Sequence, residues 1–202
     1  MTKLRLVIFL LAGFAVSGIA ALPFIKGGSA IQTAATATGD GPILIGGPFT
    51  LTDQNGRRVA DQDFRGKFML VFFGFTYCPD ACPTALQVIA AALDELGPQA
   101  EHITPILITI DPERDTPAQL ATYVKSFHPR LIGLTGSQAE IDAVVKEYRV
   151  YVKRVPDPKS TAGYTIDHSA VIYLMGPDGQ YRTHFTPQTN IEVLAYRLGR
   201  ML

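Results

Sequence analysis

The chain predicts an α/β sandwich with two thiols at the start of a helix, and three observations predict it. Two apolar runs, KFMLVFFGF (67–75) and ITPILITID (103–111), are nearly continuous and read as strands buried on both faces. Each is followed by a segment opened by helix-start chemistry, with proline at or near the first turn. Beyond these, a turn-linked pair of alternating strands and a last helix close the chain. Strands alternating with helices, then a hairpin and a helix, describe layers of helix around a sheet.

In order along the chain, Leu6–Ile25 is an uncharged run of 20 residues preceded by Lys3 and Arg5 and followed by Lys26. Roughly 20 apolar residues span a bilayer as a helix. Residues 1–26 are therefore expected to form an N-terminal transmembrane helix with its start inside. A cleaved signal peptide is the alternative, with small residues at Ala20 and Ala21 offering a site. Either way the following domain is exported. Residues 27–47 are rich in Gly, Ala and Thr with one charge, a flexible tether with a mean span on the order of 25 Å. The folded domain is expected over 48–202.

Asn55-Gly56 between alternating residues marks a tight hairpin. After the 67–75 strand, Leu86, Ile89, Ala90 and Leu93 form one apolar stripe of a helix that starts at Pro83 and ends at Gly97-Pro98. Asp111-Pro112 ends the second strand. Thr116-Pro117 opens a helix to about Phe127, with Asp115 or Thr116 as its cap. A third strand covers 131–136, and Ser137 caps a helix to about Tyr148. VYVKRV is strand-like and precedes a polar loop, 156–165. SAVIYLM (169–175) and QYRTHFT (180–186) flank the turn Gly176-Pro177-Asp178-Gly179 as an antiparallel pair, and Asn190 opens the last helix.

Composition narrows the function classes. Formal net charge is zero with 18% charged residues, so there is no basic footprint for nucleic acid. Tryptophan is absent and 47% of residues are hydrophobic, so Phe and Tyr supply the aromatic volume of the core.

Chemistry concentrates in FTYCPDACPTAL (75–86), which holds the chain's two cysteines, Cys78 and Cys82. In an exported domain a pair could be a structural disulfide, but a bridge over so short a loop restrains the unfolded chain little. A helix N-terminus favours thiolate over thiol, and thiolate is both nucleophile and metal ligand. The i, i+4 spacing lets both sulfurs point to one spot, to close a disulfide or to hold a soft ion. This placement at the end of the first βα unit is thioredoxin-like, and ligands in such sheets gather at the carboxyl ends of the strands.

Four histidines could supply a third donor. His102 follows a helix end, His128 precedes Pro129 and His184 falls within the hairpin, positions that suit surface or capping roles. His168 stands in TIDHSAVIYL, just before an apolar strand whose entry faces the cysteine helix in a thioredoxin-like fold. No proline lies between Pro158 and Pro177, where redox members of that superfamily place a cis-proline. Cys, Cys and His suit Cu(I) or Zn(II), whereas structural zinc wants four protein ligands. Asp80 could lend an oxygen or simply shape the loop. Three ligands near the surface leave an open position through which an ion can pass.

At this point the sequence resembles the Sco/SenC family of copper-binding assembly factors of cytochrome c oxidase. FGFTYCPDACP (73–83), IDPERDTP (110–117) and the DHS around His168 carry the resemblance, which runs from about Thr50 to Leu202. It implies a thioredoxin-like three-layer sandwich with copper on Cys78, Cys82 and His168. It implies a membrane-anchored copper metallochaperone that serves the CuA centre of cytochrome c oxidase. The implied partners are the CuA-bearing subunit, other periplasmic copper chaperones or thiol reductants, and the bacterial inner membrane, with the domain in the periplasm. The alternative is a thiol–disulfide oxidoreductase in which Cys78 and Cys82 are a redox-active catalytic pair acting on an exported copper protein. Arg114, in the second motif, is expected to orient the site loop or contact a partner.

Overall fold

A computed structural model describes residues 44–202. The expected anchor (1–26) and residues 27–43 of the expected tether lie outside the described residues. Among the described residues no helix is long and apolar enough to cross a membrane. At the start of the described chain, Gly46 N–H donates to Glu147 O at 2.9 Å and Arg149 Nε donates to Leu44 O at 3.1 Å.

Among the described residues nine strands and four α-helices follow one another as β1 (Thr50–Asp53), β2 (Arg58–Ala60), β3 (Phe68–Gly74), α1 (Ala81–Leu96), β4 (Ile103–Thr109), α2 (Pro117–Lys125), β5 (Ile132–Thr135), α3 (Gln138–Glu147), β6 (Val152–Pro156), β7 (Tyr164–His168), β8 (Ile172–Met175), β9 (Tyr181–Phe185) and α4 (Ile191–Gly199). Seven strands make one mixed sheet in the order β2-β1-β5-β4-β3-β8-β9, while β6 and β7 pair, among the described residues, only with each other. β3, β4 and β5 run parallel, and β8 joins β3 antiparallel. This is the expected thioredoxin-like α/β arrangement.

The two apolar runs take the centre of the sheet. Leu70, Val71, Phe72, Phe73, Ile106, Leu107 and Ile108 are all fully buried, as strands covered by helices on both faces must be. α1 and α4 pack against each other, α2 lies on β5 and α3 approaches β1. Gly133 lets α2 lie close on β5, since a Cβ there would stand 3.0 Å from Val124 Cγ1 and 3.1 Å from Leu120 Cβ.

Sequence punctuation sets most boundaries. Asp53 Oδ1 accepts from the N–H groups of Asn55 and Arg57, each at 2.9 Å, and closes the first hairpin with Gly56 at φ +79°. Thr116, Ser137 and Asn190 each cap their helix by accepting from the N–H three residues on. Thr116, not Asp115, is thus the cap of α2. α1 opens at Ala81, two residues before Pro83, which still sits among the first helical residues, where no intrahelical partner is lost. The expected polar loop 156–165 is shorter than read. β6 already includes Pro156, and Tyr164 and Thr165 belong to β7, which pairs with β6 from Val152↔His168 to Pro156↔Tyr164. His168 consequently ends a strand instead of sitting in a free loop.

Candidate metal centre

Cys78, Cys82 and His168 come together at the carboxyl end of β3, with one donor atom from each within 4.8 Å of the others. Their neighbourhood follows from local structure. β3 delivers the chain to Phe75, the 76–80 loop turns back, and Cys82 lies in the first turn of α1. Asp80 precedes the helix without capping it. The cap falls instead to Cys78, whose Sγ accepts from Cys82 N–H at 3.4 Å. A sulfur that satisfies an orphan helical donor is held on the axis where the helix dipole favours negative charge.

The two thiols are free and unequal. Cys82 is fully buried and Cys78 half-buried. A hydrogen bond from the Cys82 side chain, aided by His168 and the N–H groups of Asp80 and Cys82, brings the Cys78 pKa down to about 4 against the opposing effect of burial. The same contact raises Cys82, and burial and the Cys78 charge raise it further. The pair therefore loses its first proton at the accessible sulfur. Room for the buried one comes from Gly74, where a Cβ would stand 2.8 Å from Cys82 Sγ and 2.9 Å from Phe72. Sequence reading did not single out Gly74; its place at the end of an apolar strand was the available signal.

His168 Nε2 lies 3.6 Å from Cys82 Sγ, and its Nδ1 lies 3.1 Å from the carbonyl oxygen of Ser169. The carbonyl can only accept, so Nδ1 donates and Nε2 is the ring nitrogen turned toward the sulfurs. Phe72 and Phe75 present ring edges to the imidazole at centroid distances of 6.2 and 6.0 Å.

The second motif holds the loop from behind. Asp115 is fully buried and its carboxylate accepts from Thr76 N at 3.0 Å, Thr76 Oγ1 at 2.6 Å and Thr109 Oγ1 at 2.6 Å. Burial raises its pKa while the bonds from Thr109 and Thr76 oppose the rise. Asp115 thus staples the thiol loop to the end of β4. Arg114 binds Asp111 and stacks on aromatic rings beside the site.

The remaining candidates lie apart. Asp80 is exposed, takes a hydrogen bond from Thr84 Oγ1 at 3.4 Å and shapes the helix start; it is not in the donor cluster. His102 is exposed. His128 Nδ1 accepts from Arg130 N at 3.1 Å, and His184 pairs with the Tyr181 hydroxyl at 2.5 Å.

A thioredoxin-like scaffold whose helix N-terminus presents two thiols to one imidazole defines a class of thiol proteins with the donor set of a soft metal ion. Comparison with known proteins narrows that class. Residues 37–202 match the family model SCO1/SenC, and the chain belongs to that family. It is 45% identical over 148 residues to Protein SCO1 homolog, mitochondrial, of Homo sapiens, covering 72% of this chain and 48% of the relative. It is 44% identical over 143 residues to a SCO2-like protein of Rickettsia prowazekii, covering 71% and 70%. The chain spans about half the length of the human relative.

Solved structures agree. Bradyrhizobium japonicum ScoI with copper bound aligns at a TM-score of 0.73 and 49% identity, over 78% of this chain and 99% of that one. Arabidopsis thaliana ScoI with copper bound aligns at 0.73 and 41%, over 77% and 96%. BsSco, described as a cytochrome c oxidase assembly protein with a disulfide switch, aligns at 0.61 and 25%, over 79% and 95%.

Proposed function

We propose that this chain is a membrane-anchored copper metallochaperone that binds copper through Cys78, Cys82 and His168 and supports assembly of the CuA centre of cytochrome c oxidase. The observation that carries the reading is the convergence of two sulfurs and an imidazole within 4.8 Å at the rim of the fold. A metal–sulfur bond of about 2.3 Å implies donors about 4 Å apart around a trigonal ion, close to the spacing found. Thiolate and imidazole together suit Cu(I). The copper-bound ScoI structures support the cargo, and the assembly role described for BsSco supports the destination.

The cargo binds to the reduced pair. Cys78, ionised at neutral pH and half-exposed, meets the ion first; Cys82 loses its proton as the ion arrives. Release proceeds by ligand exchange, with a client donor displacing the imidazole before the thiolates. The apolar run Leu6–Ile25 and the basic residues ahead of it support an inner-membrane anchor with the domain in the periplasm. Other copper carriers or thiol reductants would load or reset the site.

The inequality of the thiols favours a second reading, thiol–disulfide reduction. The Cys78 thiolate would attack a client disulfide, forming a mixed disulfide and expelling one client thiolate. Cys82, deprotonated, would then attack Cys78 Sγ, close the Cys78–Cys82 disulfide and release the second client thiolate. Two electrons pass to the client, and an external thiol reductant restores the pair.

Competition titration of the reduced full chain with Cu(I) tests the first reading. Stoichiometric binding should vanish in Cys78→Ser/Cys82→Ser and weaken in His168→Ala. Binding unchanged in both variants would leave only the redox reading, for which Cys82→Ser should trap a mixed disulfide with its client.

A further inference from the structure

The β6–β7 hairpin carries His168 to the thiols yet has no strand pairing with the main sheet. Its angle is therefore set by side-chain contacts together with the three-residue link from His168 to β8, not by backbone hydrogen bonds to that sheet. Alternate residues of a strand share a face, so Tyr164, Ile166 and His168 look the same way. Ile166 is buried at one point on that face and His168 meets Phe72 and Phe75 at its end.

At the other end, the Tyr164 hydroxyl donates to Asp111 Oδ1 at 2.8 Å. Asp111 is buried and also binds Arg114 Nε. The Arg114 guanidinium carbon then lies 4.2 Å from the ring centroid of Tyr164, 4.8 Å from that of Tyr77 and 5.7 Å from that of Phe75. Tyr77 adjoins Cys78, and Phe75 flanks the imidazole. One cation thus touches both the loop that bears the thiols and the strand that bears the histidine. A second strut, Arg154 to Glu113 at 3.0 Å, is exposed on both sides and holds the hairpin weakly.

We propose that Arg114 is a positioning residue that clamps the β6–β7 hairpin onto the thiol loop and thereby sets the reach of His168 Nε2 to the sulfurs. The proposal rests on the reading that the three donors share one ion. A planar guanidinium is required because it reaches several rings with its faces while its edge binds a carboxylate; a compact ammonium, a point charge without a flat face, cannot serve them all at once. Groups that orient ligands typically account for about 10–100-fold in metal affinity.

Two measurements on the reduced full chain test it. Hydrogen–deuterium exchange without metal reads the clamp. Arg114→Ala and Arg114→Lys should speed exchange at 152–156 and 164–168 while β3 and β4 stay protected. Tyr164→Ala, which leaves the Arg114–Asp111 pair in place, should do the same and guards against a folding defect in the arginine variants. Cu(I) competition reads the consequence: each variant should lose about 10–100-fold in affinity. In a His168→Ala background the same changes should cost nothing more, because no imidazole is left to position. Unchanged hairpin exchange, or equal losses in both backgrounds, would overturn the clamp. Cu(I) affinity indifferent to Cys78→Ser/Cys82→Ser would instead overturn the copper reading beneath it.

Discussion

The two sides of the metal centre stand on different foundations. Cys78 and Cys82 belong to the junction of β3 and α1, where β3 pairs with β4 along seven residues and with β8 on its other edge. His168 ends a two-stranded hairpin that pairs with no other strand among the described residues, and Ile166 is the one buried side chain of β6 and β7. An isolated hairpin is marginal by itself, so its place depends on what it leans against. The contrast teaches a division of support: the thiols are held by the core, and the imidazole by whatever the hairpin docks against.

The contrast can be broken first at its rigid side. Phe72 is fully buried, lies on β3 and faces His168. Phe72→Ala should cost about 3–5 kcal/mol, read as a lower urea midpoint, and should loosen the imidazole as well. A loss under about 1 kcal/mol would mean that the core does not support the site as described.

A smaller effect is expected where the core touches the thiols. Gly74→Ala places a methyl group 2.8 Å from Cys82 Sγ. It should destabilise by about 1–3 kcal/mol through overpacking and weaken Cu(I) binding more than it changes hairpin exchange. Equal effects on both would blur the distinction between the two regions.

The inequality of the sulfurs predicts a pH profile. The folded pKa of Cys78, about 4, lies below its unfolded value. Its contribution to stability is therefore fully present above the ordinary thiol pKa of about 8.5 and is lost as pH falls through about 4. Alkylation by iodoacetamide, followed by mass spectrometry, should run at a constant rate at Cys78 from pH 8 to 5 (about one unit above the folded pKa) and fall only near 4. Cys82 should stay slow throughout. A Cys78 rate that climbs through about pH 8.5, as for an ordinary thiol, would contradict the account.

The smallest effect belongs to the hairpin's outer strut. Arg154→Ala removes an exposed pair with Glu113 and a contact with the Tyr164 ring inside the hairpin and should change stability by less than about 1 kcal/mol. Copper affinity should hold. A large loss there would shift the anchor of the hairpin away from Arg114.

The same two regions explain what could be read in advance. The central strands announced themselves, because burial on both faces leaves an unbroken apolar run in the chain. Caps at Thr116, Ser137 and Asn190 were legible because the interaction is local, spanning three residues. Local spacing placed Cys78 and Cys82 together, and His168 followed from its position before an apolar strand. Only the first strand of the hairpin was legible, as VYVKRV; the residues around Tyr164 are mostly polar and read as loop, since an exposed two-stranded pair needs no apolar alternation. Asp115 read as a cap because the cap signal is local, whereas its bonds to Thr76 and Thr109 link residues 39 and 6 positions away. Arg114 and Tyr164 sit 50 positions apart in the chain, and their stacking exists only once the hairpin is docked.

X-ray absorption on the Cu(I)-loaded full chain, wild type beside His168→Ala, tests the shared three-donor site most directly. The account predicts two sulfur neighbours and one nitrogen in the wild type, with the nitrogen shell lost in the variant. An identical shell in both proteins, or a wild-type ion ringed by sulfur alone, would contradict it.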